Sequence, residues 1–180
     1  QIGIEYLGPV EPIADAEIIA CGARVLQNLG VLDRCELHLN SLGDTESRAA
    51  YRTALVAFLN EHKADLSPDS KTRLSLNPLR ILDSKDGRDR EILQDVPRLQ
   101  DYLNESSKAH FTAVVAALDA VDIRWTLSPL LVRGLDYYCH TAFEFITDAL
   151  GAQGTVLGGG RYDGLSQMLG GPAIAGVGWA

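Results

Sequence analysis

The sequence predicts an α+β fold, an antiparallel sheet flanked by helices and interrupted by a mostly helical insertion. Three observations carry that expectation. Apolar residues recur at helical spacing early in the chain and again after Asn104. From Ile123 onward the pattern changes to runs rich in β-branched and aromatic residues, joined by tight connections that favour antiparallel pairing. Finally, residues 44–125 hold 12 of the 16 Lys and Arg, with a net charge of −2 in a chain of −8. This divides the chain into a core segment 1–43, a helical insertion 44–125 and a second core segment 126–180.

Each element has a local reason. Pro12 fits the first turn of a helix in which Ile18, Gly22, Val25 and Leu29 share a face, and Gly30 stops it. Cys35, Leu37 and Leu39 alternate with Glu36, His38 and Asn40, as in a half-buried strand. Asp44 caps a helix with Tyr51, Leu55, Phe58 and His62 on one side. Residues 67–103 carry Pro68, Pro78 and Pro97 and read as short helices and loops. Asn104 caps a further helix, striped by Phe111, Val114, Val115, Leu118 and Val121. Strands are expected at Ile123–Ser128, along Leu131–Thr147 as one long strand or a hairpin, and at Gln153–Leu157. A short helix at Asp163–Leu169, capped by Asp163, and a strand over Ala173–Ala180 complete the series.

Composition excludes several classes. There are 180 residues, 46% of them apolar, enough for a core without staples. No apolar run reaches membrane-spanning length. The charge of −8 argues against a polyanion binder built on overall basicity, though a local basic face stays open. Cys21, Cys35 and Cys139 are odd in number and widely spaced, which suits a reducing compartment such as the cytoplasm. The four histidines have no metal-ligand spacing, so no metal site is expected. Both ends fall inside strand-like runs, so the stretch reads as part of a longer chain.

Three constellations bear chemistry. On a strand, Gln1, Gly3 and Glu5 face one way and Ile2 and Ile4 face the core. The polar face then offers an amide, a bare backbone and a carboxylate to a ligand. In Leu131–Phe145, Arg133 stands among apolar neighbours and needs an anionic partner. Asp136 is the nearest one in sequence; a ligand carboxylate or phosphate is the other. Alternation places Tyr138, His140, Ala142 and Glu144 on a polar face, with Tyr137, Cys139, Thr141, Phe143 and Phe145 towards the core. Third, Gly158-Gly159-Gly160 lies between a strand and a short helix and reads as a turn or a close approach to a ligand.

Together these stretches resemble the histidyl-tRNA synthetases, which are class II aminoacyl-tRNA synthetases. LVRGLDYY (residues 131–138) resembles the first histidine-specific signature and GGGRYDGL (residues 158–165) the second. QIGIE at the start and GVGWA at the end resemble parts of class II motifs 2 and 3. The resemblance implies a class II-like sheet and the joining of histidine to ATP and then to tRNA(His). It assigns Glu5 and Tyr138 to the two imidazole nitrogens, Gln1 with Gly3 to the α-ammonium, and Tyr162 to the pocket lining. Arg133 would contact the substrate carboxylate and the α-phosphate, as a catalytic and an ATP-binding residue. ATP with Mg2+ would be a substrate complex, with no tightly bound cofactor.

The resemblance also implies that the insertion approaches the tRNA acceptor stem and that the whole protein is a cytoplasmic homodimer. Motif 1 and the arginines of motifs 2 and 3 lie outside this stretch, which is therefore expected to be inactive alone. Two other readings remain: a non-ligase regulatory subunit of ATP phosphoribosyltransferase, and a pseudo-synthetase domain that senses tRNA.

Overall fold

In the computed structural model, which describes residues 1–134, 137–150 and 154–180, one six-stranded sheet organises the chain. The strands are β1 (Ile4–Leu7), β2 (Glu36–Ser41), β3 (Thr126–Leu127), β4 (Cys139–Ile146), β5 (Thr155–Arg161) and β6 (Gly176–Trp179). Their order is β1-β6-β5-β4-β2-β3, and every pair is antiparallel except β2 with β3.

Two helices cover one face of this sheet. Pro12 opens α1 (Pro12–Asn28), and Asn104 caps α5 (Glu105–Ala120) by accepting from the Ser107 amide at 2.9 Å. Ile18, Ile19 and Leu26 of α1 and Val114 and Leu118 of α5 meet Leu37, Leu39, Phe143, Phe145, Leu157, Val177 and Trp179 of the sheet. Burying each large side chain stabilises the fold by about 1.5–3 kcal/mol. Gly22 lets α1 lie close to the strands, since a Cβ there would stand 3.1 Å from Leu157 and 3.3 Å from the Trp179 indole nitrogen. That indole donates to the Ile18 carbonyl at 2.9 Å, tying helix to sheet.

A second core lies within the expected insertion. Asp44 caps α2 (Thr45–Glu61) through the Ser47 amide at 2.8 Å. α3 (Pro68–Leu76) and α4 (Gly87–Ile92) follow, with 3-10 turns between. Tyr51, Leu55, Leu59, Leu66, Ile81, Leu93 and Leu99 are buried together, and Val132 packs against them from outside the expected insertion. α5 packs with α1 against the sheet instead of joining this second core.

Several expectations are corrected. Ile123–Ser128 yields only a two-residue strand, parallel to β2. Leu131–Thr147 is a strand only from Cys139 to Ile146. The preceding carbonyls of Pro129 and Leu131 accept from the Asn40 side chain, so that segment does not join the ladder. The strand expected at Gln153–Leu157 runs over Thr155–Arg161, with the three glycines inside it; Gln153 lies outside the described residues. Asp163 caps no helix: α6 (Leu165–Met168) starts after Gly164, and Asp163 instead accepts from Arg161 and the Gly176 amide. Leu29 and Val121 end their helices in the open, 66% and 57% exposed. Ile2, which precedes β1, and Ile4, on that edge strand, are also exposed instead of facing the core. Among the described residues, no helix is long and apolar enough to cross a membrane.

The second core is organised around a carboxylate. Asp89 is buried and accepts from the Ser67 amide at 2.8 Å and from the Ser67, Ser70 and Ser84 hydroxyls at 2.6–2.7 Å. Burial alone would raise its pKa; the four hydrogen bonds outweigh this and lower it to about 2. Asp89→Ala should therefore destabilise the second core by about 2–4 kcal/mol, read as a lower unfolding midpoint. The native carboxyl binds its proton less readily than the unfolded one. Its stabilisation should be complete at neutral pH, decline below about pH 4 and be lost near pH 2, whereas the Ala variant should lack that component of the acid profile.

Candidate active site

The face of the sheet opposite α1 carries the residues singled out for chemistry. Its floor is glycine. In β5, Gly158 and Gly160 face this side while Gly159 faces Phe143; in β6, Gly176 and Gly178 alternate with buried Val177 and Trp179. Each bare backbone seats one functional side chain. A Cβ on Gly158 would meet the Arg133 guanidinium at 2.9 Å, and one on Gly160 would meet the Tyr138 ring at 2.9 Å. A Cβ on Gly176 would strike Tyr162, and one on Gly178 would strike Glu5. The glycines thus let bulky polar groups lie flat against the sheet.

These side chains touch one another. The Tyr162 hydroxyl donates to the Glu5 carboxylate. Tyr138 packs edge-on to Tyr162 with ring centroids 6.2 Å apart, and Tyr137 joins them at 4.6 Å from Tyr138 and 6.2 Å from Tyr162. Burial, with Glu5 beside it, pushes the Tyr162 phenol well above its ordinary pKa, so it stays a proton donor. Arg133 lies over the Tyr138 ring, 5.3 Å from its centroid. Its Nη1 donates to Glu144 at 2.8 Å, while its Nε is buried without a partner among the described residues. Glu144 also accepts from the Thr155 hydroxyl at 3.0 Å.

Of the expected site residues, Glu5, Arg133, Tyr138 and Tyr162 are therefore gathered on one face. Gln1 is exposed and precedes β1. Gly3 lies against the end of β6, where a Cβ would come within 2.8 Å of the Trp179 carbonyl. Asp136, the candidate partner of Arg133 nearest in sequence, lies outside the described residues; among the described residues Glu144 pairs with Arg133. Tyr137 was expected in the core and instead joins the site, because it precedes β4 and escapes strand alternation. His140 also leaves its expected face. Its φ of 45° and a bulge between Cys139 and Ala142 turn it onto His110 of α5, ring centroids 4.4 Å apart. The alternating glycines of β5 and β6 were missed as a floor; their spacing of two in strand-like runs is the signal that identifies them. Among the described residues, no group of three His, Cys, Asp or Glu could hold a metal ion.

A family model, described as histidyl-tRNA synthetase, matches residues 1–180. The chain belongs to the histidyl-tRNA synthetase family. It is 58% identical over its whole length to a histidine–tRNA ligase of Rhodospirillum rubrum and 56% identical to that of Thermosynechococcus vestitus, covering 43% and 42% of them. Among solved structures, the apo histidyl-tRNA synthetase of S. aureus superposes with a TM-score of 0.76 at 39% identity, over 98% of this chain and 43% of that one. An ATP phosphoribosyltransferase regulatory subunit/histidyl-tRNA synthetase from Bacillus halodurans shares the fold, with a TM-score of 0.64 at 21% identity over 98% of this chain and 49% of that one. The chain thus spans less than half the length of the curated relatives it matches.

Beneath the floor, a buried charge pair holds the family's second signature in place. Arg161 is fully buried and donates to both Asp15 oxygens at 2.6–3.1 Å, to Asp163 at 3.0 Å, and to the Pro9 and Glu11 carbonyls. His110 approaches Asp15 at 3.4 Å. Burial would raise the Asp15 pKa, but His110 and Arg161 more than offset it and the net shift is downward. Cys139, next to this cluster, has its thiol pushed up to about 11, chiefly by burial, and is poorly disposed to act as a nucleophile. Arg161→Ala should destabilise the fold by about 3–5 kcal/mol because it leaves Asp15 buried and unpaired. Arg161→Lys should rescue little, since an ammonium cannot span the same set of acceptors. Chemical denaturation read by tryptophan fluorescence checks both; a loss below about 1 kcal/mol would contradict the pair's role.

Proposed function

We propose that the protein containing this chain is a cytoplasmic histidine–tRNA ligase. It activates histidine with ATP and passes the aminoacyl group to tRNA(His). The observation that carries this reading is the grouping of Glu5, Tyr162, Tyr138 and Arg133 above a glycine floor. A carboxylate accepts a hydrogen bond from an imidazole N–H, and a phenol answers the second nitrogen. A side chain without those nitrogens would leave buried polar groups unpaired, the strongest route to selectivity. In this scheme Glu5 and Tyr138 hold the imidazole, Tyr162 orients Glu5, and Gln1 with Gly3 receives the α-ammonium.

Arg133 then faces the reacting carboxylate. That oxygen attacks the α-phosphorus of ATP, and pyrophosphate leaves with the P–O bonding pair. The Nε of Arg133, without a partner among the described residues, supports a role in neutralising charge at the carboxylate and α-phosphate, while Glu144 fixes the other end of the guanidinium. Mg2+ would arrive with ATP as part of the substrate. Residues 44–125 would approach the tRNA acceptor stem, with any contact made by patches of their cations, and the whole protein would be a homodimer. Complete turnover belongs to the whole protein, so the stretch alone is proposed to be inactive.

Histidine-dependent exchange of pyrophosphate into ATP by the full-length protein tests the reading; its absence under conditions where a known synthetase exchanges would end it. Arg133→Ala should lower the exchange rate by about 10²- to 10³-fold. Glu5→Gln should raise the KM for histidine by about 10- to 100-fold and change the KM for ATP much less, which steady-state exchange at varied substrate separates.

A further inference from the structure

We propose that Asn40 is a positioning residue for Arg133, coupled through Gln100 to the second core. Asn40 is the penultimate residue of β2 and is fully buried. Its amide nitrogen donates to the Leu131 carbonyl at 2.8 Å and to the Pro129 carbonyl at 3.3 Å. Its oxygen accepts from the Ser41 amide at 2.9 Å and from the Gln100 side-chain amide. One side chain therefore joins the sheet, the segment that carries Arg133, and the turn Leu99–Tyr102 of the second core.

The same segment is held at other points. Ser128 donates to the Leu39 carbonyl at 3.0 Å, and Leu131 closes a turn onto Ser128 at 2.9 Å. Val132, immediately before Arg133, packs against the second core. Farther on, Arg48 of α2 donates to the Tyr138 carbonyl at 2.5 Å. Among the described residues, 129–134 and 137–138 are thus fastened by side chains of β2 and the second core, without the ladder bonds that would hold a strand. Asn40 lies two residues from Arg133 in this chain of contacts and satisfies backbone carbonyls that no strand partner serves. A misplacement of about 1 Å in a charge-stabilising group can cost about 10²-fold in rate. Loss of the Asn40 amide frees the segment at that point, and the guanidinium loses its fixed distance to the reacting phosphorus.

The inference rests on the proposed role of Arg133, and the experiment separates the two. Pyrophosphate exchange is measured on the full-length protein and on its Asn40→Ala, Gln100→Ala and Arg133→Ala variants, with both double variants that include Arg133→Ala. Asn40→Ala is expected to lower kcat by about 10- to 100-fold with the KM for histidine changed less than about threefold. Gln100→Ala is expected to do the same more weakly, by about 3- to 10-fold. Each should add almost nothing once Arg133 is gone. An undiminished kcat, a loss confined to KM, or losses that multiply in the double variants would overturn the proposal. If Asn40→Ala does not fold, the Gln100 pair decides by the same criteria. If Arg133→Ala itself exchanges normally, the role of Arg133 fails first, before the coupling is judged.

Discussion

The bidentate contact between Arg161 and Asp15 is the interaction on which the arrangement of the site depends. Arg161 ends β5, Asp15 lies in the first turn of α1, and the carbonyls of Pro9 and Glu11 join them through the same guanidinium. One buried cation thereby sets the position of the helix, the segment leading into it and the end of the glycine strand. Tyr162 follows Arg161 directly, so the phenol that meets Glu5 inherits its place from a contact on the other side of the sheet. A buried ion pair gives modest net stability compared with an apolar substitute. Here its value is positional, since a hydrophobic contact could slide where a forked hydrogen-bonded pair cannot.

The two faces of β5 and β6 then divide the work. Leu157, Val177 and Trp179 anchor the sheet to α1 and α5, while the intervening glycines leave the opposite surface bare. This division needs strict alternation, and both strands keep it over the residues concerned. Where alternation breaks, at His140, the chain sends an imidazole towards α5 and frees the preceding residues, Tyr137 and Tyr138, to lie over the floor. The acidic core and the nearly balanced insertion are therefore mechanically joined. The second core grips the segment before β4 at Val132 and, through Arg48, at Tyr138.

Much of the fold was legible because it is written in local rules. The caps at Asp44 and Asn104, the proline at the head of α1, and the alternation of Leu37 and Leu39 all report on their own neighbourhoods. Glu5, Arg133, Tyr138 and Tyr162 were recoverable as site residues through motif resemblance, and their grouping on one face agrees with that reading without assigning their roles. What stayed hidden depends on partners distant in sequence. Nothing near Arg133 announces Glu144, and nothing near Leu131 announces that Asn40, 91 residues away, would take its carbonyl. The long strand or hairpin expected over Leu131–Thr147 begins only at Cys139 for that reason: β propensity describes side chains, while pairing depends on where the carbonyls are satisfied. The glycine run misled in the opposite direction, since glycine disfavours strands in general and is used here for the room it leaves.

The edge strand β1 has a consequence for the behaviour of this stretch in solution. Ile4 and Leu7 are exposed along a strand that, among the described residues, has a hydrogen-bonded neighbour on one side only, and Ile2 just before it is exposed too. An open backbone edge with apolar side chains is a template on which another extended segment can lengthen the sheet. Prepared by itself, the stretch has the ingredients for end-to-end self-association through β1. The repulsion between molecules that each carry a net charge of −8 opposes it. Raising the ionic strength screens that repulsion and leaves the apolar edge intact, so the colloidal stability of the isolated stretch should fall as salt is added.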